Sequence, residues 1–122
     1  MAQTSGFTIK DSSELDREFG KWVLVRRSLG IQSFGINMVE LAPGDDLPEH
    51  DELDRDQEEL FYIVSGSPTI VIEGEKHPAQ PGTFVRLDPE LRRTVVNNGD
   101  EPATLMIVSA PRSSGYQAMD WA

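Results

Sequence analysis

Short apolar runs recur along this chain at intervals of about 8–12 residues, and most of them end at a Gly, Pro or Asn turn signal. The clearest run is 59–64 (ELFYIV), which ends at Ser65-Gly66. Residues 34–39 (FGINMV) alternate with the period of two that is typical of a strand. No long helical pattern accompanies these runs, so the sequence predicts an all-β protein. The predicted strands are 21–28, 34–41, 59–64, 68–73, 76–79, 83–87, 92–97 and 103–110.

A chain of 122 residues is expected to form one domain with a single core. We place that core at about 21–111, with an N-terminal extension at 1–20 and a C-terminal extension at 112–122. The second extension contains Tyr116, Met119 and Trp121. Because these side chains are apolar, we expect this segment to fold back on the domain or to contact a partner subunit.

The charge balance restricts the possible partners. The chain has 21 acidic and 11 basic residues, a formal net charge of −10. Phosphate backbones need clustered Lys and Arg, so nucleic acid is not expected as a partner, and an acidic chain is also disfavoured at anionic membrane surfaces. No apolar run is long enough to cross a bilayer, and no basic segment followed by an apolar run opens the chain. Without cysteine, disulfides, thiolate metal ligands and cysteine nucleophiles are excluded, and we expect a cytoplasmic protein.

Acidic residues are concentrated in one stretch around a histidine. Nine of the 21 acids lie between Asp45 and Glu59, and only Arg55 offsets them there. The stretch 45–58 has no apolar period and is predicted to be a loop with an extended piece near His50. Such a cluster makes the region the best candidate for one wall of a chemical site.

The spacing of this stretch resembles the first motif of the cupins, a family of small β-barrels. That motif is a Gly, five residues, His-x-His, three or four residues, Glu, six residues and Gly. Here Gly44 precedes His50 by five intervening residues, Glu52 stands in place of the second His, and Glu59 precedes Gly66 by six. The gap between Glu52 and Glu59 is six residues, longer than the family's usual gap.

A second motif of the same family is also recognisable. Five residues after Gly82 comes 88–90 (DPE) in place of Pro-x-Gly, followed at the family's spacing by Arg93 in place of His, and by Asn97. The resemblance covers about 40–110. It implies the double-stranded β-helix (jelly-roll) cupin barrel of a small single-domain cupin.

The resemblance also indicates which residues of this chain occupy the positions of the family's metal ligands. Metal-binding cupins hold divalent Fe, Mn, Ni or Zn with the three ligands of motif one and the His of motif two. Arg93 occupies the last of these positions, and a guanidinium stays protonated and has no lone pair for a metal. We therefore expect no metal cofactor. The alternative is a reduced metal site formed by His50, Glu52 and Glu59.

Strand alternation suggests how the replaced residues interact. In the run 59–64, Glu59 shares a face with Phe61 and Ile63, and in the run 92–97 Arg93 shares a face with Val95 and Asn97. If both faces point inward, each charged group needs a partner. We predict an interior ion pair between Glu59 and Arg93.

The functional hypothesis combines these residues. We expect a small anionic or polar molecule, for example a polyhydroxylated one, to bind in the barrel mouth through His50, Glu52, Glu59 and Arg93, without a catalytic metal. Three alternatives stay open: a metal-dependent oxygenase or isomerase, a metal-free enzyme with His50 as general base, and a non-catalytic sensing or binding module. Because both faces of 59–64 are apolar, we also expect a homodimer.

Overall fold

The computed structural model describes residues 6–122, so the first five residues of the predicted N-terminal extension lie outside the described part. It contains nine strands, one short helix and two 3₁₀ turns. The strands are β1 (Arg17–Glu18), β2 (Trp22–Val23), β3 (Gly35–Leu41), β4 (Gln57–Ser65), β5 (Thr69–Ile72), β6 (Glu75–Pro78), β7 (Phe84–Leu87), β8 (Arg93–Val96) and β9 (Ala103–Pro111). The helix is α1 (Val25–Leu29), and the 3₁₀ turns are Ser12–Glu14 and Leu53–Arg55. No helix among the described residues is long and apolar enough to span a membrane.

Two antiparallel sheets make up the architecture. The larger has six strands in the order β1-β2-β3-β9-β4-β7, and the smaller has three in the order β6-β5-β8. Their inner faces share one apolar core, to which β3, β4, β7 and β9 contribute from one sheet and β5 and β8 from the other. The all-β class is therefore confirmed, as a sandwich of two antiparallel sheets. Closure into a jelly-roll barrel stays a prediction.

The alternation predicted for the central strands is confirmed. In β4, Glu59, Phe61 and Ile63 are buried, whereas their neighbours are partly or fully exposed. In β8, Arg93 and Val95 are buried and alternate with half-buried residues. Because side chains point to opposite faces at every step of a strand, the apolar residues of each strand bring the charged residue on the same face into the interior.

The strand predicted at 21–28 is wrong over most of its length. Only Trp22–Val23 pairs with β3, and Val25–Leu29 forms the single helix α1. The helix ends at Gly30, which has φ of 76° and donates its N–H to the carbonyl of Arg26 at 2.9 Å. A glycine in the left-handed conformation terminates helices, and basic residues in the last turn favour its carbonyl end. These local signals outweigh the β propensity of the Trp- and Val-rich run.

The acidic segment is irregular, as predicted, and is attached to β8 at two points. Asp46 pairs with Val96, and His50 pairs with Arg93 in isolated antiparallel bridges. The 3₁₀ turn Leu53–Arg55 then leads into β4. The segment is thus held against the smaller sheet before the chain enters the larger one.

Gly66 is required where β4 ends. It has φ of 78°, and a Cβ there would lie 2.5 Å from the carbonyl oxygen of Pro102. Only glycine tolerates both the left-handed backbone and the close approach of the segment before β9. This explains the glycine at the end of the first motif.

The outer face of the larger sheet keeps exposed apolar side chains. Phe84 is 68% exposed and packs against Tyr62 with ring centroids 4.6 Å apart. In the C-terminal extension, Tyr116, Met119 and Trp121 are exposed as well. Tyr116 lines a surface pocket together with residues of β4 and β9, so the packing of this segment on the domain stays a prediction. Contact with a partner subunit, and the predicted homodimer, stay predictions.

Candidate functional site

The predicted ion pair between Glu59 and Arg93 is present inside the sandwich. Arg93 Nε lies 3.5 Å from Glu59 Oε1. The side chain of Arg93 is 0% exposed and that of Glu59 is 9% exposed. The other two guanidinium nitrogens donate to backbone carbonyls, Nη1 to Leu91 at 2.9 Å and Nη2 to Asp88 at 3.2 Å. Arg93 thus neutralises a buried carboxylate and holds the 88–91 turn in place.

His50 is positioned by the backbone of the same arginine. The His50 N–H donates to the Arg93 carbonyl at 3.0 Å, and the Arg93 N–H donates back to the His50 carbonyl at 2.8 Å. These bonds fasten the acidic segment to β8, so the two sequence motifs meet through main-chain contacts. Side chains far apart in sequence are brought together in this way.

The side chains of His50 and Glu52 contact each other. His50 Nδ1 lies 3.0 Å from the Pro48 carbonyl, which only accepts, so Nδ1 carries a hydrogen. His50 Nε2 lies 3.0 Å from Glu52 Oε2, so the imidazole and one carboxylate oxygen are in direct contact. Glu52 is fixed for this contact because its N–H donates to the Pro89 carbonyl at 2.9 Å.

The two pairs border one cavity of about 730 Å³. His50, Glu52 and Glu59 line it, together with apolar side chains such as Trp22 and Phe61. Arg93 does not line the cavity and has no exposed surface, so it faces Glu59 from behind. The cavity therefore combines an apolar wall with a charged cluster, as small-molecule sites commonly do.

Several lining residues do not follow from the sequence patterns. Arg26 and Arg55 both border the cavity, as do further polar side chains. The further polar residues are Gln32, Ser33, Asn37, Gln57 and Ser109. The position of Arg26 at the cavity is not predictable because the run 21–28 has the composition of a strand. The position of Arg55 is not predictable because it is a lone basic residue within an acidic loop. No sequence signal marks the remaining polar residues as cavity residues.

The donor set can be compared with the metal that the family motif implies. One ligand atom each from His50, Glu52 and Glu59 lies within 4.8 Å of the others, and an imidazole with two carboxylates suits Fe, Mn or Zn. Glu59 Oε1 and Arg93 Nε are both buried without a hydrogen-bond partner among the described residues, and they face each other at 3.5 Å. The permanent charge of Arg93 beside that same oxygen opposes a cation, however. The three donors fit a divalent ion in type and spacing, but the electrostatics beside them do not.

The environment of Glu59 affects its acidity. Burial raises the pKa of Glu59 above its ordinary value of 4.5, and this outweighs the opposite effect of the Arg93 charge. The nearby carboxylate of Glu52 raises the pKa further. A carboxyl group that holds its proton more tightly than usual, next to a cavity, can act as a hydrogen-bond donor or acceptor.

The raised pKa of Glu59 predicts a pH-dependent stability difference between the wild type and Glu59→Gln. The folded state binds the proton more tightly than the unfolded state, so this contribution to stability is fully present below pH 4.5 and is lost as pH rises through the raised pKa. The free energy of unfolding of the wild type, minus that of the variant, should therefore fall from pH 4.5 towards neutral. Urea denaturation across this range measures it.

The exposed neighbour provides the control for that experiment. Glu58→Gln removes a carboxylate one residue away, on the opposite face of β4. It should not reproduce the pH dependence of Glu59→Gln. In Glu59→Gln, Arg93 loses its charged partner. This changes the free energy of unfolding of the variant by an amount that does not depend on pH, because the guanidinium stays charged throughout. A stability difference that increases with pH would show that Arg93, rather than burial, controls Glu59.

Comparisons with known proteins identify the family and the fold. The family model described as "Cupin domain" matches residues 37–109, so the chain belongs to the cupin family. A cupin protein from Bacteroides fragilis is 21% identical with a TM-score of 0.79, and the match covers 95% of this chain and 93% of that one. A Cupin 2 conserved barrel domain protein from Salinispora arenicola is 21% identical with a TM-score of 0.70, over 92% and 93% of the two chains. These likenesses concern the fold.

A further similar structure is that of an enzyme. It is a sugar phosphate isomerase of the cupin superfamily from Silicibacter pomeroyi, 26% identical with a TM-score of 0.64, and the match covers 73% of this chain and 57% of that one. This chain thus spans little more than half of the isomerase. No curated protein matches the chain.

Proposed function

We propose that this cupin binds a small polyhydroxylated or anionic molecule in the cavity, without a catalytic metal, through His50, Glu52 and Glu59. The observation that carries the proposal is the buried guanidinium of Arg93 against Glu59, at the position of the family's metal-binding His. Arg93 does not line the cavity, so we do not expect its guanidinium to contact the ligand directly. Arg93 acts by keeping Glu59 in place.

The chemistry of the cluster favours ligands with hydroxyl groups. Glu59 lines the cavity beside His50 and Glu52, so three side chains that accept hydrogen bonds from hydroxyl groups lie together there. His50 and Glu52, which contact each other at 3.0 Å and line the cavity, add further hydrogen-bonding groups. Sugar phosphates are both polyhydroxylated and anionic, and the similar protein from Silicibacter pomeroyi is a sugar phosphate isomerase.

The proposal is tested with a probe series that shares one ring. D-glucose, D-glucuronate and glucose 6-phosphate differ only at the sixth carbon. His50→Ala should weaken the binding of all three by about tenfold, because one hydrogen-bonding partner is lost beside buried groups. Isothermal titration calorimetry measures the dissociation constants.

His77 provides the matched control for His50. It is the chain's other histidine, it is exposed, it also contacts a carboxylate (Glu75, at 3.0 Å), and it does not line the cavity. His77→Ala should leave all three dissociation constants unchanged. If none of the three probes binds to the wild type, the proposal is overturned. Turnover that disappears in His50→Ala would point to the enzyme with His50 as general base, and binding without turnover to a sensing or binding module.

A second candidate function is a metal-dependent oxygenase or isomerase. The observation that favours it is the clustering of one donor atom each from His50, Glu52 and Glu59 within 4.8 Å. Elemental analysis of the purified protein separates the two functions. Near-stoichiometric Fe, Mn, Ni or Zn that is lost in Glu59→Gln would establish the metal-dependent function and overturn the metal-free one.

A further inference from the structure

Most arginines of this acidic chain are paired with carboxylates. The chain has eight arginines, and five of them make ion pairs with Asp or Glu. The five are Arg17, Arg86, Arg92, Arg93 and Arg112. Within residues 6–122, Arg26, Arg27 and Arg55 have no such partner. Two of these three, Arg26 and Arg55, line the cavity.

Arg55 makes no ion pair within the described part of the chain although it lies in the acidic segment, and its charge acts on Glu59 only at longer range. Two carboxylates near it in sequence are engaged elsewhere: Glu52 contacts His50 at 3.0 Å, and Asp56 pairs with Arg112 at 2.5 Å. Asp51 accepts a hydrogen bond from the N–H of Leu53 at 3.1 Å. The 3₁₀ turn Leu53–Arg55 instead places the arginine among the cavity residues.

Arg26 lines the same cavity, although it lies 29 residues before Arg55 in the sequence. It lies in α1, and its Nη1 donates to the Ile31 carbonyl at 3.2 Å. That bond orients the side chain but uses only one of the five N–H groups of a guanidinium. The remaining donors are available to a ligand.

We propose that Arg26 and Arg55 bind the anionic group of the ligand, a carboxylate or a phosphate, while its hydroxyl groups face His50, Glu52 and Glu59. A guanidinium matches the geometry of both oxyanions and binds them more strongly than neutral donors do. The carboxylates of Glu52 and Glu59 repel an anion and so direct it towards the two arginines. This inference rests on the proposed function and adds the substrate class, a polyhydroxylated anion.

The experiment uses the same three probes with the double variant Arg26→Gln/Arg55→Gln. D-glucuronate and glucose 6-phosphate should bind about tenfold or more weakly than to the wild type, because charge-assisted hydrogen bonds are lost. D-glucose should bind with an unchanged dissociation constant. In the wild type, raising the salt concentration should weaken only the two anions, because salt screens exposed charges.

Arg27→Gln is the matched control. Arg27 is in the same helix as Arg26, is exposed, lacks a carboxylate partner and does not line the cavity. The control makes the same change of charge as either single substitution, so it measures any long-range effect of the net charge. It should leave the affinity for all three probes as in the wild type.

The outcomes separate this inference from the proposed function. A loss confined to glucuronate or to glucose 6-phosphate supports the inference and identifies the group as carboxylate or phosphate, and a loss for both supports it for either oxyanion. Anion binding that survives in the double variant, or an equal loss for glucose, overturns the inference while the effect of His50→Ala still supports the proposed function. If none of the three probes binds to the wild type, both are overturned.

Discussion

Replacing Arg93 with methionine is expected to lower the free energy of unfolding by about 3–5 kcal/mol. The guanidinium is completely buried, lies 3.5 Å from Glu59 and donates to the carbonyls of Leu91 and Asp88. Methionine fills much of the volume but leaves the Glu59 carboxylate without a compensating charge. It also removes the guanidinium donor to the Leu91 carbonyl, whereas the Asp88 carbonyl keeps the N–H of Leu91 as a donor. Urea denaturation at neutral pH measures the loss.

Two further variants test whether the loss arises from the broken pair. Arg92→Met changes the adjacent residue, whose side chain is 52% exposed and whose carboxylate contacts are 3.6 and 4.0 Å long. Surface substitutions of this kind usually change stability by less than about 0.5 kcal/mol. Combining Arg93→Met with Glu59→Leu should recover much of the loss, because removing both members of a buried pair is far less costly than removing one. A loss below about 1 kcal/mol in Arg93→Met alone would show that the pair is not a structural requirement.

The sequence predicted this pair because strand alternation is a strict geometric rule. Once β4 and β8 each bury an apolar face, Glu59 and Arg93 must follow Phe61 and Val95 into the interior. A buried charge needs a counter-charge, and each residue was the available partner of the other. The period of two, together with the motif spacing, therefore specified the interior of the site.

The cavity surface was much less predictable. Alternation indicates which face a side chain is on, but not how far it reaches, so Arg93 was expected at the ligand and instead lies behind Glu59. Arg26 and Arg55 lie outside the strands, in α1 and a 3₁₀ turn, where no period of two applies. Their positions depend on Gly30 and on tertiary contacts that spacing does not encode.

Replacing Arg93 with histidine is expected to raise the affinity for a divalent metal well above that of the wild type. The substitution restores the ligand type of the second family motif beside His50, Glu52 and Glu59, whose donor atoms already lie within 4.8 Å of one another. It also removes the fixed positive charge. Two unit charges about 4 Å apart interact by about 4 kcal/mol at an effective dielectric constant of about 20. Relief of this repulsion should strengthen Zn²⁺ or Mn²⁺ binding by about a hundredfold or more, measured by calorimetry on chelator-treated protein.

The controls separate a created metal site from surface binding by the acidic loop. Arg92→His introduces the same side chain one residue away, just before β8, and should bind metal no better than the wild type. Adding Glu59→Gln to Arg93→His should abolish most of the gain, because Glu59 is the buried ligand. Equal metal affinity in the wild type and in Arg93→His would mean that the guanidinium does not exclude a cation. In that case the three remaining donors are sufficient for a metal, and the metal-dependent function replaces the metal-free one.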